Sequence, residues 1–349
     1  MTHKRILALA ALVTTAALAL TGCVAGEGSN LAPAVDPTPV ATLPGTWSAT
    51  TLNIDFATYN PLSLIIKDQG WLEKTFGDKV AVNWVQSSGS AAANAALLAG
   101  SIDVGSTAGS AALLARSNGS PIKSIDVFAQ PNWAAILVGP NSTIKSVKDL
   151  KGKNIAANAG TDPYFFLLQA LAEAGLKTSD VTITQLQHAD GKVALEAGTV
   201  DAWAGLDPLL STSVVVAGSK IIYDNPKFNS YGLLDATEGF LTKSPDIAQV
   251  VVDAYEKARA WAIANPDKAA EILAQVAGID IKIANSVLID RTNLDIDPKP
   301  GKAQTAVLKV IGPVFVSAGT VASQGQVDDA LKSLFDTTYI DDVNPDLVG

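Results

Sequence analysis

The sequence predicts an α/β protein made of two similar lobes, with a helical C-terminal extension that packs on the first lobe. Short apolar runs alternate with helical patterns between residues 51 and 223, which is typical of an α/β fold with mostly parallel sheets. The segment 98–104 has a counterpart at 196–202, and each is typical of a helix that ends at a glycine and leads into a short strand. After residue 245 the pattern is almost wholly helical.

The amino terminus has the layout of a bacterial export signal that ends at a lipidation site. Two basic residues precede an apolar run over residues 6–20, which is shorter than the roughly 20 residues of a membrane-spanning helix. The Leu-Thr-Gly-Cys sequence that ends at Cys23 resembles the lipobox of bacterial lipoproteins. We therefore expect residues 1–22 to be a removed signal peptide, Cys23 to be lipidated, and the folded body to be extracytoplasmic and anchored to the cell membrane. The alternative is an ordinary cleaved signal beside an incidental cysteine.

Composition excludes several classes of function. The formal net charge is −9, and an acidic protein is poorly suited to nucleic acid, whose binding needs clustered Lys and Arg. Cys23 is the one cysteine, and the two histidines are His3, within the signal, and His188. The folded body can therefore build neither a His/Cys metal cluster nor a cysteine nucleophile. A Ser-His-Asp triad would need His188, which we predict to be a loop residue after a strand, so we expect no metal, no cofactor and no enzymatic activity.

The elements follow in order along the chain. Residues 23–48 are rich in Gly and Pro and are predicted to be a flexible tether. Strands are predicted over residues 52–57, 80–85, 104–106, 125–129, 135–138, 154–157, 181–186, 202–204 and 220–223. Helices are predicted over residues 61–69, 91–99, 111–117, 147–150, 164–174, 191–197 and 208–216, and in the tail over 245–265, 266–278, 282–292, 303–318 and 326–335. The first lobe is predicted to be discontinuous, with residues 49–138 plus 234–349, and the second lobe to span residues 139–233.

Candidate site residues follow the predicted strands, because ligands of open α/β sheets bind beyond the carboxyl ends of the strands. Most of these loops are rich in Ser, Thr, Gly and Asn and open a helix, so their N–H groups and helix dipoles suit an anionic headgroup. The candidates are Tyr59, Asn60, Ser87, Ser88, Gly89, Ser106, Thr107, Ala108 and Trp133 in the first half, Gly160, Thr161, Asp162, Tyr164, Trp203 and Asp207 in the second, and Glu238 at the return. Arginine is nearly absent from these loops, which disfavours a bidentate clamp. The structural alternatives are ordinary helix caps and core aromatic residues.

Several motifs together resemble one known family over residues 50–340. They are Tyr59-Asn60, the segments 70–73, 98–105, 146–153 and 195–203, Asp207-Pro208, Ala260-Trp261 and Asn265-Pro266. The family is the aliphatic-sulfonate, taurine and nitrate type of substrate-binding protein of ABC importers. The resemblance implies a two-lobed periplasmic-binding-protein fold of type II topology, with the ligand in the cleft between the lobes.

We therefore expect a monomeric solute receptor that captures a small organic anion, such as an alkyl or aryl sulfonate, and that contacts the permease subunits of an importer. The small side chains of the loops leave open a neutral or heterocyclic nutrient of the pyrimidine-precursor type. An alternative of another class is a secreted hydrolase that uses Asp207 and Glu238 as paired carboxylates. The resemblance also includes a desulfinase with this fold, and it implies that such an enzyme needs a nucleophilic cysteine, which the folded body lacks.

Overall fold

Two β-sheets carry the helices of this chain. The computed structural model describes residues 43–349, so the predicted export signal, the lipidation site Cys23 and most of the tether lie outside the described residues. The strands are β1 (Thr51–Phe56), β2 (Ala81–Gln86), β3 (Val104–Ala108), β4 (Ile122–Pro131), β5 (Ala134–Val138), β6 (Asn154–Ala157), β7 (Thr182–Gln185), β8 (Ala202–Leu206), β9 (Lys220–Tyr223), β10 (Gly232–Thr237) and β11 (Thr292–Asn293). The helices are α1 (Pro61–Gln69), α2 (Trp71–Phe76), α3 (Ser90–Leu98), α4 (Gly109–Ser117), α5 (Asp162–Glu173), α6 (His188–Glu196), α7 (Leu209–Ala217), α8 (Glu238–Lys243), α9 (Pro245–Ala264), α10 (Pro266–Ala277), α11 (Ile281–Asn285), α12 (Lys302–Ser317), α13 (Gln324–Ser333) and α14 (Thr338–Asp341).

Both sheets mix parallel and antiparallel strands. The first has six strands in the order β11-β4-β10-β3-β1-β2, and the second has five in the order β7-β6-β8-β5-β9. β1 pairs in parallel with β2 and β3, and β6 pairs in parallel with β7 and β8. β10 is antiparallel to β3 and β4, and β5 is antiparallel to β8 and β9. The prediction of mostly parallel sheets is therefore wrong, because the first strand after each passage between the sheets runs against its neighbours.

Two further corrections concern the segments in which the chain crosses from one sheet to the other. The sequence does not predict β10 as a strand, because Asp235 interrupts its apolar run. In the fold Asp235 is fully buried and accepts hydrogen bonds from the hydroxyls of Ser124 and Thr107, which satisfy a carboxylate in the middle of a sheet. The predicted start of the second lobe at residue 139 is too late, since β5 pairs with the strands of the second sheet from Ala134 onward.

The repeated segments 98–104 and 196–202 form two equivalent helix-to-strand turns, one leading into each sheet. The glycine after each helix has a left-handed φ, 67° after α3 and 72° after α6. Asp103 donates its N–H to the main-chain oxygen of Asn53 (2.7 Å) and accepts the N–H of Asn53 on its carboxylate (2.8 Å). Asp201 makes the same two contacts with Asn154, both at 2.8 Å. Each aspartate thus joins its helix corner to β1 or to β6, the first parallel strand of its sheet.

The helices after β10 mainly cover the first sheet. Arg259 of α9 is buried, pairs with Glu256 (3.0 Å) and donates to the main-chain oxygen of Phe128 (3.1 Å), which joins α9 to β4. α12 packs on α4 and also reaches α5, where the rings of Phe315 and Phe165 are 4.6 Å apart. Within residues 43–349, no helix combines the length and apolar character that crossing a bilayer requires.

Candidate functional site

Four helices begin at the carboxyl ends of strands and face each other between the two sheets. α3 and α4 follow β2 and β3, whereas α5 and α6 follow β6 and β7. A Cβ placed on Gly89, just before α3, would lie 3.1 Å from Cδ2 of His188 in α6, and one on Gly160 would lie 3.9 Å from Cβ of Ala91. Among the described residues, the N-cap residues of α3, α5 and α6 make no side-chain capping hydrogen bond. We call the region between loops 87–90, 108–110, 158–162 and 187–188 the interlobe cleft.

Asp162, the first residue of α5, holds the loops of the cleft together. Its Oδ1 accepts from the hydroxyls of Ser110 (2.6 Å) and Ser230 (2.7 Å). Its Oδ2 accepts from the indole N–H of Trp133 (2.8 Å) and the main-chain N–H of Ser230 (2.8 Å). Burial raises the pKa of Asp162, while these donors favour its ionised form. A carboxylate oxygen has about two acceptor positions, so these four bonds use the acceptor capacity of this predicted site residue.

The predicted site residues that follow β1, together with Ser106 of β3, form a buried network beneath the cleft. Tyr59 donates its hydroxyl to the main-chain oxygen of Ser106 (2.9 Å), and Asn60 donates to the Ser106 hydroxyl (2.7 Å) and to that of Tyr255 (3.0 Å). Ser106 in turn donates its hydroxyl (2.7 Å) and its N–H (2.9 Å) to Asp55. Burial raises the pKa of Asp55 to about 6, against the lowering effect of the Ser106 donors. These polar groups bond within the protein and fix the loops that border the cleft.

The remaining first-lobe candidates differ in their exposure. Thr107 is fully buried and donates its hydroxyl to the carboxylate in β10, and Ala108 donates its N–H to the hydroxyl of Ser90 (2.9 Å). Ser87 is buried, whereas Ser88 is exposed to solvent. The structure therefore exposes Ser88, buries Gly89 against His188, and places Thr107 in the core.

The second-lobe candidates are also divided between the cleft and the core. Thr161 is buried and donates its hydroxyl to the main-chain oxygen of Asn158 (2.6 Å), which shapes the loop before α5. Tyr164 is half-buried. Trp203 is 1% exposed and lies in the core of the second sheet. A Cβ on Gly191 would lie 2.7 Å from the Trp203 indole nitrogen, so only glycine permits α6 to approach this ring so closely.

Asp207 and Glu238, the carboxylates of the hydrolase alternative, have different partners. Asp207 accepts from the N–H (3.0 Å) and hydroxyl (2.6 Å) of Ser211 in α7 and from Nε of Arg291 (2.7 Å). Glu238 pairs with Arg116 at 3.0 Å. Within residues 43–349 the two carboxylates share no hydrogen-bond or ion-pair partner, and no group of His, Cys, Asp or Glu side chains is arranged to hold a metal ion. The contact of Arg291 with a predicted site loop was not foreseen, because the two residues are far apart in sequence.

His188 is the cleft residue that sequence reasoning missed. It is the first residue of α6 rather than a loop residue, and it is only 2% exposed. Neither ring nitrogen has a hydrogen-bond partner among residues 43–349. Burial lowers the pKa of the imidazole to about 4, so it is neutral at pH 7. One signal was available: His188 follows a predicted strand, as the other candidates do, and is the single histidine after the export signal.

Comparison with known proteins identifies the family. A model of the NMT1/THI5-like family matches residues 65–269, which is more than half of the chain. The chain belongs to the NMT1/THI5-like family. It is 32% identical over 248 residues to the putative aliphatic sulfonates-binding protein of Escherichia coli (strain K12), and the match covers 70% of this chain and 77% of that protein.

Solved structures confirm the predicted periplasmic-binding-protein fold for this NMT1/THI5-like chain. The alkanesulfonate-binding protein SsuA from Xanthomonas axonopodis pv. citri, bound to MOPS, matches with a TM-score of 0.72 and 25% identity, covering 83% of this chain and 99% of that chain. The desulfurization enzyme DszB, in a mutant complex with biphenyl-2-sulfinic acid, matches with a TM-score of 0.62 and 13% identity, covering 84% of this chain and 99% of that chain. The second similarity concerns the fold alone.

Proposed function

We propose that this protein is the solute-binding component of an ABC importer and that it binds a small organic anion with a sulfonate headgroup in the interlobe cleft. The observation that carries the proposal is the meeting of helix N-termini from both sheets, of which α3, α5 and α6 have no side-chain cap among the described residues. Each N-terminus carries roughly half a positive charge, so together they favour an anion. The names of the E. coli and Xanthomonas relatives support a sulfonate as that anion.

A thermal-shift screen tests this function. The panel contains alkyl and aryl sulfonates, taurine, nitrate and neutral pyrimidines, in buffers without a sulfonate group because the SsuA relative was bound to MOPS. A ligand at about a hundred times its dissociation constant stabilises the folded protein by about 2.7 kcal/mol. For a chain of this size that raises the melting temperature by about 5 °C. Stabilisation by sulfonates supports the proposal, stabilisation by neutral rings alone favours the heterocyclic alternative, and no stabilisation by any compound contradicts it.

A pair of matched variants on α3 localises the site. Ala91 lies on the first turn of α3 opposite Gly160, whereas Ala95 lies one turn later and is exposed. We expect Ala91→Trp to fill the cleft and to abolish the ligand-induced stabilisation. Ala95→Trp adds the same side chain outside the cleft and should preserve it. Equal binding by both variants would place the ligand elsewhere.

We further propose that ligand binding brings two lobes together, one formed by residues 49–133 plus 232–349 and the other by residues 134–231, so that all of β10 stays with the first sheet. The two sheets support this division, and a closed state that binds the ligand more tightly is the state a transporter can read. Small-angle scattering should give a smaller radius of gyration with saturating ligand. An unchanged radius would contradict hinge closure.

The proposal places the protein outside the cytoplasm, as a monomer held at the membrane by lipid on Cys23 and contacting the permease subunits of an importer. The lipobox-like sequence and the periplasmic location named for an E. coli relative support this. Mass spectrometry of the mature protein should show an acylated cysteine as the first residue. An unmodified mature N-terminus would contradict the lipid anchor.

We also propose that the protein is not an enzyme. The separate partners of Asp207 and Glu238 support this against the hydrolase, and the single cysteine at position 23 supports it against a cysteine-dependent desulfinase. Incubation with biphenyl-2-sulfinic acid, alkyl sulfonates, esters and glycosides should release no product. Turnover that disappears in Asp207→Asn would instead support the hydrolase.

A further inference from the structure

His188 lies at the point where the two halves of the cleft touch. The atoms of its ring nearest to Gly89 are Cδ2 and Nε2, which lie 3.1 and 3.3 Å from the position that a Cβ on that glycine would take. The imidazole of α6 is therefore directed at the N-terminus of α3, a helix of nine residues whose N-cap makes no side-chain capping bond among the described residues. The imidazole of α6, beside the second sheet, therefore lies close to the N-terminus of α3, beside the first sheet.

The ring is in an unfavourable state in this conformation. Both nitrogens are buried, and neither has a partner among residues 43–349. A buried polar group left without a hydrogen bond destabilises the folded state by about 1–3 kcal/mol. Such a group needs an explanation, and a ligand that accepts its hydrogen bond would remove the cost only when bound.

We propose that His188 makes the site selective for an anionic ligand. Its imidazole donates a hydrogen bond to an oxygen of a headgroup held between α6 and the N-terminus of α3. The inference rests on the proposed solute-binding function and specifies the class of ligand that the site takes. In the conformation described here the space between Gly89 and His188 is narrow, since a Cβ on Gly89 would lie 3.1 Å from Cδ2 of the ring. The lobes must therefore open to admit the headgroup before they close on it. A protonated imidazole is the better partner, because both nitrogens then donate and the ring carries a positive charge.

Protonation gives this contact a measurable signature. In the conformation described here burial lowers the pKa of His188 to about 4. The elements packed against α6, which are β6, β8 and α7, contain no ionisable side chain, and neither does α3 opposite the ring. On its own helix Asp190 is exposed, and Lys192 pairs with Glu196 at 2.9 Å. An anion beside the ring raises its pKa, so binding takes up a proton at pH values between the pKa of the ring without ligand and its pKa in the complex. Within that range affinity rises as pH falls, by up to about tenfold for each pH unit.

Calorimetric titration with ethanesulfonate or butanesulfonate tests the inference, because these anions stay ionised throughout the range. The titrations run from pH 5.5 to 7.5 in phosphate and in bis-Tris, whose different heats of ionisation report proton uptake. We expect binding about tenfold tighter at pH 5.5 than at pH 7.5, with proton uptake. His188→Gln keeps a donor but does not titrate, and it should bind with a flat pH profile. His188→Phe should bind more weakly at every pH.

Asp190→Asn is the matched control, because it removes an ionisable group from the same helix turn without touching the cleft. It should keep the wild-type pH profile. Sulfonate binding that is independent of pH and unchanged in His188→Gln would overturn the inference while leaving the receptor function intact. Binding of neutral rings alone would also overturn it. The absence of binding by any compound to folded protein would remove the proposed function on which the inference rests. Circular dichroism melts of each variant establish that it is folded.

Discussion

Asp162 offers the sharpest test of how the cleft is held together. Its carboxylate accepts two hydroxyl donors on Oδ1, from Ser110 and Ser230, and two N–H donors on Oδ2, from Trp133 and Ser230. Asp162→Ala leaves all four buried donors without this acceptor. An unsatisfied buried donor costs about 1–3 kcal/mol, and part of that cost is offset because a buried charge is removed. We expect a net loss of about 3–5 kcal/mol in the free energy of unfolding.

Asp162→Asn should be much milder, because the two oxygens have different kinds of donor. The N–H groups of Trp133 and Ser230 can only donate, so the remaining amide oxygen must face them. The amide NH₂ then faces the hydroxyls of Ser110 and Ser230, which can rotate to accept. This arrangement keeps all four contacts as neutral hydrogen bonds. We expect a loss of about 1–2 kcal/mol, since hydrogen bonds to a charged group are stronger than neutral ones.

Urea unfolding followed by tryptophan fluorescence measures both losses, with calorimetry to check that the transition is two-state. Asp267→Ala is the control, because Asp267 is exposed in the first turn of α10 and should contribute only about 0.3–1 kcal/mol through the helix dipole. The reasoning fails if Asp162→Ala costs less than the control, or if Asp162→Asn costs as much as Asp162→Ala.

Two further predictions concern the core of the first sheet. Burial raises the pKa of Asp235 to about 7 and that of Asp55 to about 6, so their contribution to stability is fully present below about pH 4 and is lost as pH rises to about 7. The free energy of unfolding should therefore fall between pH 5 and pH 8, and Asp235→Asn should flatten this profile; an unchanged profile would contradict the assignment. A Cβ on Gly232 would lie 2.3 Å from the fully buried ring of Phe128, so Gly232→Ala should cost about 1–3 kcal/mol in urea unfolding. Gly239→Ala in α8, which meets no atom within 4 Å, should be neutral or stabilising by up to about 1 kcal/mol, because Ala is the better helix former. Equal stability of the two variants would contradict the packing argument.

Much of the secondary structure was predictable because its signals are local. The helix predicted over residues 61–69 has those bounds: Asn60 caps it through a hydrogen bond to the N–H of Ser63 (3.3 Å), and Gly70 ends it with a φ of 62°. The echo between 98–104 and 196–202 also predicted a true equivalence, because each copy encodes its own turn and the aspartate that joins that turn to a strand. β10 escaped prediction because the hydroxyls that satisfy its buried carboxylate come from other strands.

The site could be predicted as an edge of the fold but not as a set of side chains. The rule that ligands bind beyond the ends of strands located the right loops, yet it does not say which way a side chain points. Thr107 lies in β3 and Trp203 lies in β8, and both side chains point into the core. Every residue of β3 and of β8 is buried, and both strands end two residues later than the sequence predicts, so where a strand ends decides between the cleft and the core. That choice depends on packing from the other elements of each lobe.

His188 and Asp162 show why the sequence alone does not predict the charge of the ligand. Taken alone, an aspartate at a predicted binding loop argues against an anionic ligand, and a buried histidine suggests a neutral core residue. In the fold the acceptor capacity of Asp162 is used by four donors of the protein, whereas His188 has no hydrogen-bond partner within residues 43–349. The carboxyl group of Asp162 is therefore satisfied internally, whereas the imidazole of His188 has a donor to offer. The ligand class follows from which of these groups has unused hydrogen-bonding capacity, and that depends on contacts between loops far apart in the chain.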